Sequence, residues 1–388
     1  METEKIIRLE EKYLMRTYKR PHIAIDYGHG CYVFDKEGKK YIDLVGGVAT
    51  CILGHGNLEF AEAVKAQIKK ITNPSNLYYG EEQVKLAEKL ANISGLDKCF
   101  FSNSGTESVE AAIKLARKHT KKSEIISTIH GFHGRTFGSL AATGKEKIKE
   151  PFKPMLPGFK HVEYGNAGAV EKAITKNTAA VIVEPIQGEA GIIVPKNDYL
   201  NRLREICDRH EILLIIDEIQ TGNGRTGKFF AYEYNRIKPD IVVLAKGLAN
   251  GLPIGATIAA EHCSSFEKGD HGSTFGGNPI ACCAASFTIE YIISHKLMKN
   301  AHDQGSYIME KIKSLDLKFV KEVRGKGLMI GIELKGKNDA VIKKCIANGL
   351  LINPVSEKVL RLLPPLTIGR KIIDDALDIL ASAIKNEN

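Results

Sequence analysis

Short unbroken apolar runs recur through the middle of the chain, each about the length of a strand. The clearest are Ala179-Ala180-Val181-Ile182-Val183, Ile212-Leu213-Leu214-Ile215-Ile216 and Ile241-Val242-Val243-Leu244-Ala245. A strand with one wet face alternates apolar and polar residues; a run apolar at every position belongs to a strand covered on both faces. This pattern predicts strands at 98–102, 124–127, 180–184, 212–217, 241–245 and 254–260. Segments of helical spacing separate them at 105–119, 167–176 and 197–210. The alternation predicts an α/β fold with a mostly parallel central sheet. Reactive groups in such sheets gather beyond the carboxyl ends of the strands, where Glu184, Asp217 and Lys246 fall.

The flanks read differently. A helix is expected at 3–16, then strands near 23–26 and 31–34 joined through Gly28 and Gly30. A turn at Lys36-Glu37-Gly38-Lys39 leads to a strand at 40–44, with helices at 58–70 and 81–93. After a long helical stretch at 279–314 come strands at 319–323 and 328–334, a helix at 338–348, short strands near 350–352 and 359–362, and a closing helix at 370–385. The expected division is a small α+β domain built from both chain ends, residues 1–45 and 279–388, around a large domain at 46–278. A length of 388 residues suits two domains.

Composition narrows the class. With 43% apolar and 26% charged residues the chain is an ordinary globular one. Its longest apolar runs fall far short of the roughly 20 residues of a membrane span. The opening METEKIIRLEEKYLMRTYKR has no signal-type apolar core, so a cytoplasmic location is expected. Eight cysteines without a Cys-x-x-Cys pair read as buried reduced thiols, with no metal site. The net charge of +9, from 55 basic and 46 acidic residues, is spread along helical faces without a dense block. That argues against a nucleic-acid partner and suits mild attraction for multiply anionic substrates.

Lys246 and Asp217 each close a buried-looking strand. An amine and a carboxylate so placed are what an enzyme needs to hold pyridoxal phosphate. The amine condenses with the aldehyde, and the carboxylate keeps the ring nitrogen protonated. Phe101-Ser102-Asn103-Ser104-Gly105-Thr106-Glu107 turns from strand to helix, a cup of backbone N–H groups for a phosphate. Its plainer reading is a helix cap by Ser104 with Glu107. In Gly131-Phe132-His133-Gly134-Arg135-Thr136, Phe132 offers a plane for stacking and Arg135 a fork for a carboxylate. The segment His271 to Pro279 is glycine-rich, and the Thr274 hydroxyl is a candidate phosphate contact. Arg361, between leucines, needs an acidic partner. Gly222 to Gly227 matches a dinucleotide loop, but no helix start follows. Gly331 to Lys337 nearly spells a phosphate loop, but Asn338 stands where a hydroxyl is required.

Taken together, these stretches resemble the class III pyridoxal-phosphate-dependent ω-aminotransferases, of fold-type-I architecture. Within that class they are most similar to the enzymes acting on acetylated ornithine. The likeness runs from Tyr18-Lys19-Arg20-Pro21 through Ser75 to Tyr79, Asn103 to Glu107, Phe132 to Thr136, Glu184 to Glu189, Asp217 to Gly222 and Ala245-Lys246-Gly247, and ends with Leu360 to Pro365. The resemblance implies that Lys246 binds the cofactor covalently and Asp217 pairs with its ring nitrogen. It implies that Gln220 bonds the phenolic oxygen, Phe132 stacks on the ring, and Ser104, Gly105 and Thr106 hold the phosphate. Thr274 would reach the phosphate of a neighbouring subunit, so a homodimer with shared active sites is implied, with Ser273 on the substrate side.

By the same likeness Tyr18 and Arg135 meet the donor. Glu189 pairs with Arg361 until 2-oxoglutarate arrives, then yields it. Val48 stands where ornithine δ-aminotransferases carry a tyrosine, which disfavours free ornithine and suits an acetylated diamino acid. Related donors remain in view: an acylated or carrier-bound lysine presented by an acidic carrier protein, 4-aminobutyrate, succinylornithine or ornithine. An aminomutase on the same fold and a non-enzymatic binding protein are the readings from other classes.

Overall fold

The computed structural model describes residues 1–385. Three N-terminal strands, β1 (Ile25–His29), β2 (Tyr32–Asp35) and β3 (Lys40–Asp43), precede the helices Leu58–Lys70 and Glu81–Ser94. Seven strands follow: β4 (Lys98–Ser102), β5 (Glu124–Thr128), β6 (Phe159–Val162), β7 (Thr178–Val183), β8 (Leu213–Asp217), β9 (Ile241–Leu244) and β10 (Gly255–Ala259). The C-terminal part supplies β11 (Val320–Lys326), β12 (Met329–Leu334), β13 (Leu350–Leu351), β14 (Asn353–Pro354) and β15 (Val359–Leu362).

The seven central strands form one sheet in the order β4-β10-β9-β8-β7-β5-β6. Pairing is parallel except at β10, which runs antiparallel to both β4 and β9. Every residue of β7, β8, β9 and β10 is buried, the signature of a sheet covered on both faces. Helix Gly105–Thr120 packs across β9 and β10, and its buried face is rich in alanine and small residues that permit close approach.

Two smaller sheets flank this core. One runs β1-β2-β3-β13, so a C-terminal strand pairs with an N-terminal one, Leu350 opposite Ile42. The other runs β11-β12-β15-β14, with Gly331 opposite Arg361. One apolar cluster fills the central sheet; a second joins Cys31, Ile42 and Leu44 to residues from 292 to 384. Between them lies a small cluster of Ala49, Ile186, Ile192, Met329 and Leu363.

The structure departs from the sequence pattern in three places. The expected helix 279–314 is two helices, Pro279–Ser294 and Leu297–Ser314, broken where Lys296 turns left-handed at φ 54°. Strand β6 and helix Phe137–Ala142 were not expected. The residues of β6, Phe-Lys-His-Val, are all half-buried, so neither alternation nor an apolar run marks them. At Gly46 to Ala49 the backbone makes a left-handed turn, φ 55°, 61°, 61° and 68°. Gly46 is required there, because a Cβ would lie 2.6 Å from the Leu363 carbonyl oxygen. Val48, being β-branched, holds this conformation against a penalty of about 1–2 kcal/mol. All eight cysteines are free, five of them buried. Among the described residues no helix is long and apolar enough to cross a membrane.

Candidate active site

The carboxyl ends of β7, β8 and β9 deliver Glu184, Asp217 and Lys246 to one cavity of about 390 Å³. Thr50, the start of helix Gly105–Thr120, the loop at 132–135, Glu189 and Gln220 complete its walls. Lys246 follows β9 by two residues and is left-handed at φ 47°. Its amine makes no hydrogen bond or ion pair among the described residues. Burial lowers its pKa; Glu189 opposes that, and Arg361 adds to it. An amine facing a cavity, its charged form disfavoured, is suited to condense with an aldehyde or take a proton.

Asp217 is 3% exposed, and both its oxygens are held. Oδ1 accepts from the Ile219 amide at 3.0 Å, and Oδ2 from His133 Nδ1 at 2.8 Å. Burial works against a charge on His133, but the bond to Asp217, helped by its charge and that of Glu184, raises the imidazole pKa overall. The imidazole thus holds the Asp217 carboxylate in place through its Nδ1. His133 Nε2 is buried and unpartnered. Glu184 accepts from the amides of Phe132 at 2.9 Å and Gly188 at 3.0 Å, tying together the loops that carry Arg135 and Glu189. Burial pushes its pKa up to about 7.

Ser104 caps helix Gly105–Thr120, its Oγ accepting from the Glu107 amide at 3.4 Å. The capping reading is thus realised, and it leaves the amides of Gly105 and Thr106 at the helix start without helical acceptors. With the dipole of a 16-residue helix behind them, these groups form an anion cradle. The Thr106 hydroxyl is already used: it accepts from the amides of Arg135 at 3.1 Å and Thr136 at 3.2 Å. Thr106 therefore offers the cradle its backbone N–H. The Arg135 guanidinium lies 5.6 Å from the centre of the Phe132 ring.

A second charged unit closes the cavity from the side of β15. Arg361 is 2% exposed, and its Nη1 lies 2.5 Å from Glu189 Oε1 and 3.1 Å from Gln220 Oε1. Its Nη2 donates to Asn353 Oδ1 at 2.7 Å. Gln220 Nε2 lies 3.4 Å from Glu189 Oε1, so both ends of this amide belong to the ion pair. Burial opposes the charge of Glu189, yet Arg361, Lys246 and Lys145 hold its pKa down at about 2.

Of the residues singled out from sequence, Ser104, Gly105, Thr106, Phe132, Arg135, Glu189, Asp217, Gln220 and Lys246 line this cavity, and Arg361 stands behind Glu189. Tyr18, Ser273 and Thr274 do not line it. Tyr18 is exposed, with Arg20 over its ring at 5.1 Å. Ser273 Oγ accepts from Asn103 Nδ2 at 3.0 Å, and the Thr274 carbonyl accepts from Asn73 at 3.3 Å. Sequence reasoning gave no role to His133, Lys145 or Asn353. His133 stands inside a quoted motif, but a lone histidine carries no signal until its carboxylate is known.

A cavity with a free lysine, a clamped carboxylate and an anion cradle fits pyridoxal phosphate. Comparison with known proteins points the same way. Residues 13–384 match the family model described as aminotransferase class-III. The chain is 46% identical to an acetylornithine aminotransferase of Methanothermobacter thermautotrophicus, over 100% of both chains. It is 49% identical to one from Methanopyrus kandleri, over 97% of this chain and 98% of that one. Among solved structures, the ornithine aminotransferase of Toxoplasma gondii superposes with a TM-score of 0.96 at 31% identity, over 99% of this chain and 95% of that one. A second structure of that enzyme is described with partial occupancy of PLP at its active site. An acetylornithine aminotransferase from Elizabethkingia anophelis superposes at 0.89 with 33% identity, over 99% of each chain.

Proposed function

The chain belongs to the class-III aminotransferase family, and we propose that it transfers the terminal amino group of N2-acetylornithine to 2-oxoglutarate. The products are N-acetylglutamate semialdehyde and glutamate, a step of arginine synthesis. The observation that carries the reading is the convergence of Lys246, Asp217 and the Gly105–Thr106 cradle on one cavity.

Pyridoxal phosphate, when bound, supplies an aldehyde for the amino group and a ring that draws electrons from the adjacent carbon. Lys246 Nζ takes the proton from that carbon and later returns one, a role its lowered pKa favours. Asp217 would pair with the ring nitrogen, and His133 holds Asp217 in orientation. The cradle fixes the phosphate. Arg135 takes a substrate carboxylate. Arg361 is withheld by Glu189 while the donor is present and is given to 2-oxoglutarate afterwards. One site thereby accepts two unlike substrates in turn.

The enzyme is read as a homodimer of the cytoplasm. Leu77 and Tyr79 are 84% and 104% exposed. Asn76, beside them, donates to the carbonyls of Ser273 and Gly276. An apolar patch this open, next to a loop that does not serve its own cavity, supports a shared interface through which Thr274 reaches the partner's phosphate. Val48, in the turn leading to Thr50, supports the acetylated donor over free ornithine. The +9 charge favours one second reading, an acylated lysine on an acidic carrier protein. A panel of amino donors with 2-oxoglutarate tests the assignment by kcat/KM. Acetylornithine is expected to lead; a higher value for free ornithine, or for a carrier-bound donor at low salt, overturns the choice. Lys246→Ala should abolish both turnover and the visible absorption of the loaded protein.

A further inference from the structure

Lys145 follows the turn Thr143-Gly144 beyond helix Phe137–Ala142. Its Nζ donates to the main-chain carbonyl of Glu189 at 2.6 Å, the residue whose side chain engages Arg361. An ammonium has three donors, and among the described residues this is the one hydrogen bond that Lys145 Nζ makes. Burial lowers its pKa, Glu189 and Glu184 draw it back up, and Arg361 and Arg135 push it down. Lys145 is thus in the electrostatic field of the ion pair without being a member of it.

Releasing Arg361 to an incoming carboxylate strips Glu189 of a contact of 2.5 Å in a part-buried position. A carboxylate left there without a counter-ion is disfavoured. Arg361 and Arg135 are then occupied by the acceptor, and Lys246 is occupied by the reaction. The amine of Lys145 is already hydrogen-bonded to the backbone of Glu189, which places it beside that side chain.

We propose that Lys145 is the second counter-ion of Glu189, receiving its carboxylate when Arg361 binds 2-oxoglutarate. It is a positioning residue for the acceptor half of the reaction. The proposal rests on the reading of Arg361 as the acceptor's site.

The test uses the cofactor-loaded protein and glutarate, a dicarboxylate that binds without reacting. Calorimetry measures its Kd, and single-turnover absorbance follows each half-reaction separately. In Lys145→Gln the amide can still donate to the Glu189 carbonyl while the charge is gone. Glutarate Kd should rise about tenfold, the acceptor half-reaction should weaken to match, and the donor half-reaction should change less than twofold. Lys145→Arg should restore glutarate binding. In a Glu189→Gln background the same Lys145→Gln change should cost nothing, because no carboxylate is displaced. Unchanged glutarate binding in Lys145→Gln, an equal loss in both half-reactions, or an undiminished effect in the Glu189→Gln background overturns the proposal. The underlying reading fails separately, and takes the proposal with it, if Arg361→Lys leaves glutarate binding by the parent protein unaltered.

Discussion

His133 Nδ1 donates to Asp217 Oδ2 at 2.8 Å, and neither side chain meets solvent to any extent. Both side chains reach the cavity wall, and His133 is held to Asp217, through which it orients the ring-binding carboxylate. In His133→Gln a hydrogen bond to Asp217 can survive but the imidazole ring cannot. Turnover should fall about 10- to 100-fold, the usual range for a partner that orients a group in direct contact with the chemistry. Cofactor binding should persist, and the pH dependence of the loaded protein's visible absorption should shift. Unchanged absorption and rate would reduce His133 to a packing residue.

The anion cradle depends on how closely the loop at 131–136 approaches helix Gly105–Thr120. Gly134 has φ 138°, and a Cβ there would lie 2.2 Å from Thr106 Oγ1 and 2.4 Å from Ser139 Oγ. Gly134→Ala must therefore displace the loop or the helix start. Affinity for pyridoxal phosphate should weaken at least tenfold while the melting temperature of the cofactor-free protein falls only slightly. Equilibrium dialysis and thermal melts separate the two effects.

The central sheet and most of the cavity were legible in the sequence because they obey local rules. Asp217 and Lys246 stand at the ends of runs buried on both faces, and Ser104 to Glu107 spell a helix cap. What could not be read is set by distant contacts. Strand β6 has no pattern of its own, since its place is fixed by pairing with β5. The break at Lys296 uses no glycine or proline. The Gln220 amide carries no sign that Arg361 and Glu189 would engage both its ends. Tyr18, Ser273 and Thr274 lie away from this cavity, a placement that nothing in their own sequence neighbourhood reveals.

The left-handed turn at Gly46–Ala49 is braced by a charge pair with a pH signature. Asp43 Oδ1 accepts from the amides of Val45 at 2.8 Å and Gly46 at 3.0 Å, while Oδ2 lies 2.8 Å from His55 Nε2. The bond to Asp43, and Cys51 beside it, raise the His55 pKa to about 10 against the effect of burial. A raised folded-state pKa gives stability that is complete below about pH 6.5, the unfolded value. That stability is lost as pH climbs through about 10. The urea midpoint of the parent should therefore drop between pH 7 and pH 10.5 by more than that of His55→Asn. Parallel curves for the two proteins would show that the pair does not brace the turn.

Arg225 links the central sheet's loops to the strand that carries Arg361. It is 1% exposed, and its Nη1 donates to the carbonyls of Leu328 at 3.1 Å and Pro364 at 2.5 Å. Its Nε and Nη2 are buried without partners, and burial lowers its pKa to about 9. Two effects oppose each other when Arg225 is truncated to alanine. Removing a buried, poorly compensated charge is favourable, whereas two carbonyls lose their donor at about 1–3 kcal/mol each and a large side chain leaves a void. The void and the stranded carbonyls should prevail, with a net loss of about 2–4 kcal/mol in urea unfolding. Pro364 lies on the exit from β15, so its movement displaces Arg361 more than Lys246. The KM for 2-oxoglutarate should therefore rise further than kcat falls, and the donor half-reaction should be the less affected. A uniform loss in both half-reactions would mean that Arg225 supports the fold alone.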